Sequence, residues 1–191
     1  MTESEKVTIG NCELYLGDCM EVMPMLSKVN LILTDIPYGE VSKNGEDRAK
    51  YSGQLRNMDK EFADIISFDL VDFLKLNRKL CDGSMYCFRG IEQIKIIYDF
   101  FSNEKDFMVR QCAWRKTNPP PTNGQHLWLS SFENCIFAKK RKTKFNQICK
   151  SSVWDFPIGS SKQHPTEKPL KLFKYLVEGY RDWETDRKSV V

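Results

Sequence analysis

The chain contains no Cys-x-x-Cys pair, no Gly-x-Gly and no run of eighteen apolar residues. Without a long apolar run, no segment reads as a membrane-spanning helix, and no membrane partner is expected. The seven cysteines (12, 19, 81, 87, 112, 135 and 149) form an odd set without paired spacing. That argues against a zinc ribbon or a disulfide framework and for a reducing, cytoplasmic setting. His126 and His164 are the only histidines. With no paired ligands beside them, no metal site is expected. The N-terminus, Met1-Thr2-Glu3-Ser4-Glu5-Lys6, is polar and acidic, unlike a secretory signal.

What is present is enough for one domain, or a slightly incomplete one: 191 residues, 41% of them apolar. The net charge of +3 conceals an asymmetry. Residues 1–110 carry 14 Lys/Arg against 19 Asp/Glu, whereas residues 111–180 carry 12 against 4. A basic half joined to an acidic half suits a polyanion partner on one face.

Apolar periodicity alternates between strand and helix. Residues 11–16 read as a strand ended by Gly17-Asp18, and residues 19–26 as a brief helix made irregular by Pro24. Val29 to Thr34 reads as the next strand, parallel to the first, completing a βαβ unit. Residues 40–60 read as a long polar loop of the kind that serves a site. Further along, 62–80 is helical, Asp82-Gly83 a turn, 84–88 a strand and 91–101 an amphipathic helix. Residues 107–114 and 131–139 read as strands, separated by a loop that Pro119-Pro120-Pro121 opens. An extended aromatic stretch at 153–157 and a helix at 170–178 close the pattern. This alternation predicts a mostly parallel α/β sheet.

In such sheets, ligands bind beyond the carboxyl ends of the strands. Asp35-Ile36-Pro37-Tyr38-Gly39 follows the second strand at that place. Pro37 fixes its own φ and pushes Ile36 into an extended conformation. The stretch therefore offers a carboxylate, an aimed carbonyl and a flat ring.

These residues resemble an S-adenosylmethionine-dependent DNA amino-methyltransferase of the β arrangement, the adenine-N6 and cytosine-N4 family. Thr34-Asp35-Ile36-Pro37-Tyr38 matches the family's DPPY signature, with Ile in place of the first Pro. Gly17-Asp18 resembles the acidic strand end that precedes it, and His164-Pro165-Thr166-Glu167-Lys168-Pro169-Leu170 matches the HPTxKP block. Trp114-Arg115-Lys116 and Glu133 sit where the family has a Trp-x-Lys strand end and a Glu-bearing strand. The resemblance covers about residues 11–178 and implies a Rossmann-like methyltransferase sheet, incomplete at its C-terminal end.

The resemblance also implies roles. An exocyclic amino nitrogen shares its lone pair with the ring and is a poor nucleophile. Two acceptors aimed at its N–H bonds favour the electron-rich nitrogen of the transition state. The family assigns them to the signature acid and the following carbonyl, here Asp35 and Ile36, with Pro37 aiming the carbonyl and Tyr38 stacking on a base flipped out of the duplex. Asp18, Asp35, His164, Thr166, Lys168 and Pro169 are the expected lining of the S-adenosylmethionine site. Lys116 and the run Lys139, Lys140, Arg141, Lys142 and Lys144 are the expected contacts to double-stranded DNA. A signature that begins with Asp leans towards adenine N6, with cytosine N4 or a non-catalytic DNA-binding remnant as alternatives. Cytosine C5 chemistry needs a cysteine nucleophile, in that family within a Pro-Cys pair, and none occurs here. A restriction endonuclease is the expected partner at the system level.

The expected organisation is a partial catalytic domain at 1–180, with a short target-recognition insert near 140–161 and a foreign-looking tail at 181–191. The family continues past the HPTxKP helix into a Gly-rich cofactor turn, which is not found here. The chain is therefore expected to be weakly stable and weakly active or inactive.

Overall fold

The computed structural model describes residues 5–37, 68–121, 124–159 and 167–179, with the backbone of 189–190. Tyr38, the polar stretch at 40–60, His164, Thr166 and residues 181–188 and 191 of the tail lie outside the described residues.

The first departure from expectation is at the N-terminal end. Strand β1 (Glu5–Ile9) pairs antiparallel with β2 (Cys12–Leu16) in a sheet of their own. The turn between them uses Gly10 at φ 58°, a left-handed conformation that costs glycine little. Val7, Thr8 and Ile9 favour extended structure, and β2 finds its partner two residues away rather than in the main sheet. Hence β2 and the next strand do not form the expected βαβ unit. After Asp18, α1 (Cys19–Val22) runs into a 3-10 turn at Met23–Met25. Pro24 is tolerated at the start of that turn, where no intrahelical N–H bond is required.

The main sheet has six strands in the order β7-β5-β6-β4-β3-β8. They are β3 (Val29–Asp35), β4 (Cys81–Arg89), β5 (Phe107–Lys116), β6 (Phe132–Lys140), β7 (Val153–Phe156) and the two-residue β8 (Ser189–Val190). β3 pairs parallel with β4 and β8, and β5 parallel with β7, whereas β6 is antiparallel to both of its neighbours. Five strands therefore point one way and β6 alone points back, so the sheet is mixed but mostly parallel. Asp82-Gly83, read as a turn, lies inside β4: its first residues run past a register irregularity against Val29 and Leu31. β7 falls within the segment expected to be a recognition insert, so part of that segment is a strand of the sheet.

Helices α2 (Leu70–Leu80) and α3 (Ile94–Ser102) cover one face of the sheet, and α4 (Leu170–Glu178) covers the other. Asp69 caps α2 by accepting from the Asp72 N–H at 2.9 Å, as a short acid at that position should. The period-two alternation of strands divides the core. Ile32, Ile36, Met85, Cys87, Ile136 and Ala138 pack with Phe73, Leu74, Ile97 and Phe101. Leu31, Leu33, Tyr86, Phe88, Cys112, Trp114 and Cys135 pack with Trp154, Leu172 and Leu176. β4 is buried along almost its whole length, as a central strand covered on both faces must be. Truncating Leu33, which is fully enclosed, to Ala is expected to cost about 3 kcal/mol in denaturant unfolding, with no direct effect on any charged group.

Candidate active site

The same alternation positions the site. Asp35 lies in register with Leu31 and Leu33, so its side chain falls on the α4 face, whereas Ile36 turns into the opposite core. Glu133 is in register with Cys135 on β6, and Lys116 with Trp114 and Cys112 on β5. Because β6 runs backwards, its first residues lie at the edge where β3, β4 and β5 end. Lys168 comes from the turn that leads through Pro169 into α4.

These four side chains form one ionic chain. Lys168 Nζ lies 2.6 Å from Asp35 Oδ2 and 2.9 Å from Glu133 Oε2, and Lys116 Nζ lies 2.9 Å from Glu133 Oε1. Lys168 is 6% exposed, Lys116 11%, Glu133 19% and Asp35 33%. An ammonium this buried is held by paired carboxylates or not at all. Burial alone would pull the Lys168 pKa down, but Asp35 and Glu133 outweigh it and hold the group above its ordinary value. Burial would likewise raise Glu133, yet Lys168 and Lys116 together bring it below the usual carboxylate range. The Lys168 ammonium also lies 5.7 Å from the Phe88 ring centre, and that of Lys116 5.4 Å from Trp114, within cation–π range.

The backbone after Asp35 is anchored twice. The Ile36 N–H donates to the Phe88 carbonyl at 3.2 Å. Gln93 Nε2 donates to the Pro37 carbonyl at 2.8 Å, while Gln93 Oε1 accepts from the Gly90 N–H at 2.9 Å. The peptide between these anchors carries the Ile36 carbonyl, and Pro37 restricts its torsion. Gln93 is buried and both ends of its amide are used. Sequence reasoning passed over it because an amide in a short 3-10 turn (Ile91–Gln93) carries no motif.

The other expected site residues have partners of their own. Asp18 caps α1 by accepting from the Met20 N–H at 2.8 Å. Lys116, expected to contact DNA, pairs with Glu133 in the buried ionic chain. The basic run lies at the other end of the sheet, since β6 carries Glu133 near one edge and Lys139 opposite Ser84 near the other. Six residues separate Glu133 from Lys139, about 20 Å of strand. Lys139 is buried and donates to the Lys140 carbonyl. Lys140 pairs with Asp82 at 2.9 Å, and Arg141 donates to the Lys105 carbonyl. Lys142 and Lys144 are exposed. Among the described residues no group of three or more His, Cys, Asp or Glu is arranged to hold a metal ion, and no helix is long and apolar enough to cross a membrane.

Comparison with known proteins agrees with this architecture. The chain is 26% identical over 196 aligned residues to the type II methyltransferase M.HinfI of Haemophilus influenzae, covering 84% of this chain and 53% of that protein. It thus spans about half the length of the curated relative it matches. The crystal structure of the M1.HpyAVI–SAM complex superposes with a TM-score of 0.59 at 24% identity, over 86% of this chain and 74% of the other. A second M1.HpyAVI structure gives 0.59 at 21%, over 88% and 75%. No family model matches the chain. The protein is related in sequence to a type II methyltransferase and has the α/β fold of these methyltransferase structures.

Two outcomes follow from the site. Replacing Lys168 by Met leaves two partly buried carboxylates facing each other and should cost about 3 kcal/mol in denaturant unfolding. The contribution of Glu133 is present above its unfolded-state pKa and is lost as pH falls through its lowered folded value. That of Lys168 persists until pH rises through its raised folded value. The Lys168→Met penalty should therefore be constant near neutral pH and shrink in acid, which an unfolding series across pH measures. Replacing Gln93 by Leu removes the donor to the half-buried Pro37 carbonyl and leaves the buried Gly90 N–H unsatisfied, at a cost of about 2 kcal/mol by the same assay.

Proposed function

We propose that this chain belongs to an S-adenosylmethionine-dependent DNA methyltransferase that modifies the exocyclic N6 amine of adenine. The observation that carries this reading is the Asp35–Ile36–Pro37 strand end. A carboxylate fixed by Lys168 stands beside a carbonyl held between two backbone anchors. Two acceptors at adjacent backbone positions are what an –NH2 group needs, one for each N–H.

The residues present fit the methyl donor. Asp35, the last residue of β3, is a third exposed at the strand end where α/β sheets bind ligands, and its charge suits a cationic sulfonium. S-adenosylmethionine, when bound, supplies the electrophilic methyl group. The chain's own residues supply the rest. Asp35 and the Ile36 carbonyl accept from the target amine and draw its lone pair out of the ring. As the nitrogen becomes tetrahedral and gains positive charge, both hydrogen bonds strengthen, so the arrangement favours the transition state over the bound base. Asp35 then stands ready to take the proton the nitrogen must lose. Lys168 keeps that carboxylate oriented, and Glu133, itself paired with Lys116, holds Lys168. Tyr38 is proposed to stack on the extruded base, and Asp18, His164, Thr166, Lys168 and Pro169 to line the donor's site. Of these, Lys168 is already committed to Asp35 and Glu133, so its contribution there acts through the carboxylates. Lys142 and Lys144, exposed on the basic half, are proposed phosphate contacts.

The test is methyl transfer from S-adenosylmethionine to duplex DNA, followed by nucleoside analysis. N6-methyladenine is the expected product; N4-methylcytosine would keep the amine chemistry and reassign the base. Asp35→Asn should lower turnover at least a hundredfold, the scale on which one preorganised group stabilises a transition state, with DNA affinity little changed. Transfer at an undiminished rate by Asp35→Asn would refute the assignment.

A further inference from the structure

We propose that the exposed segment at 124–131, which leads into β6, is a DNA contact, in which Trp128 fills the gap left in the base stack when the target base is extruded. The inference rests on the DNA reading above and extends it to a residue outside the catalytic set.

Trp128 is 98% exposed, and its neighbours Leu127 and Leu129 are exposed as well. The other described tryptophans, Trp114 and Trp154, are buried. An indole held fully in water retains none of the benefit of burial, so its exposure calls for a partner that supplies an apolar surface. A shallow recess of about 350 Å³ lined by Gly124, His126, Leu127 and Trp128 lies beside it.

The loop's location and charge name that partner. Its root is tied to the site edge: the Lys116 N–H donates to the Ser131 carbonyl at 2.7 Å, and the Ile158 N–H donates to Asn118 Oδ1 at 2.6 Å. Trp128 is five residues from Glu133, so the chain can carry it no more than about 17 Å from the ionic cluster. Residues 117–131 contain no Asp, Glu, Lys or Arg, in a chain with 26 acidic residues. Nothing on the loop repels a phosphate backbone, and its Asn, Gln, Ser and Thr side chains can hydrogen-bond one. A flat apolar ring within reach of a site that takes a base out of the duplex matches the stacked bases on either side of the vacancy. Apolar side chains inserted between base steps and stacked aromatic rings are both established ways of holding opened DNA.

The experiment needs no methyl donor. The chain, Trp128→Ala and Trp128→Phe are titrated with a paired duplex and with one carrying an abasic site, where the vacancy already exists. The wild type should bind the abasic duplex tenfold or more tightly than the paired one, with loss of Trp128 fluorescence. Trp128→Ala should lose that preference and Trp128→Phe keep most of it, all three showing the same salt dependence. Equal binding by Trp128→Ala, with the preference intact, would overturn the inference and leave the methyltransferase reading standing. No DNA binding by the wild type to either duplex would overturn both. Because Trp128 packs against little, its replacement should leave the unfolding curve unchanged, which excludes a folding defect as the cause.

Discussion

A nearly buried ammonium between two carboxylates is the constraint around which this sheet is arranged. Lys168 tolerates its burial because Asp35 and Glu133 lie within 3 Å. Both acids are where they are because β3 and β6 meet β4 in one register. A slip of one residue in either strand would move its acid to the opposite face, against α2 and α3, and strand Lys168 without a counter-charge. Strand register, docking of α4 and orientation of the candidate catalytic acid are thus one specification. The desolvation cost of such a pair makes it a weak source of net stability and a strong selector among alternative packings.

Much of the sheet was legible from periodicity. Strands β3 to β6 were located within a few residues, β7 only as an extended stretch, and α4 at its observed bounds, because alternation and the 3.6-residue repeat are local signals. What periodicity does not carry is direction and partner. An alternating strand reads the same from either end, so nothing in Phe132–Lys140 said that it runs backwards. For that reason a basic run adjacent in sequence to Glu133 lay unforeseen at the far edge. Likewise β2 alternated well enough to be a sheet strand, but the nearby β1 claimed it. Asp35 to Pro37 stood out through a proline and a strand end. Gln93, equally committed to that backbone, did not, since its role exists only once β3 and β4 are side by side.

The site separates two tasks that the proposed chemistry on an amine requires. Charge is held by the ionic chain on the α4 face, and backbone geometry is held by Phe88 and Gln93 from β4 and the turn after it. The replacement of the family's first proline by Ile36 is easily accommodated under this division. The carbonyl is positioned by its neighbours on both sides, and the Ile side chain is spent on the core beneath.

Asp35 and Lys168 are 133 residues apart in the chain. Closing so long a loop brings its entropic cost before the contact returns anything, and structures rich in such contacts fold slowly. The candidate catalytic acid is therefore oriented by one of the most distant contacts in the molecule. A nascent chain would expose a complete Asp35-Ile36-Pro37 turn well before Lys168 leaves the ribosome, but the acid would have no fixed direction. The orientation of Asp35 thus waits for the segment that carries Lys168 and α4, and a shorter nascent polypeptide holds the strand end without its counter-charge.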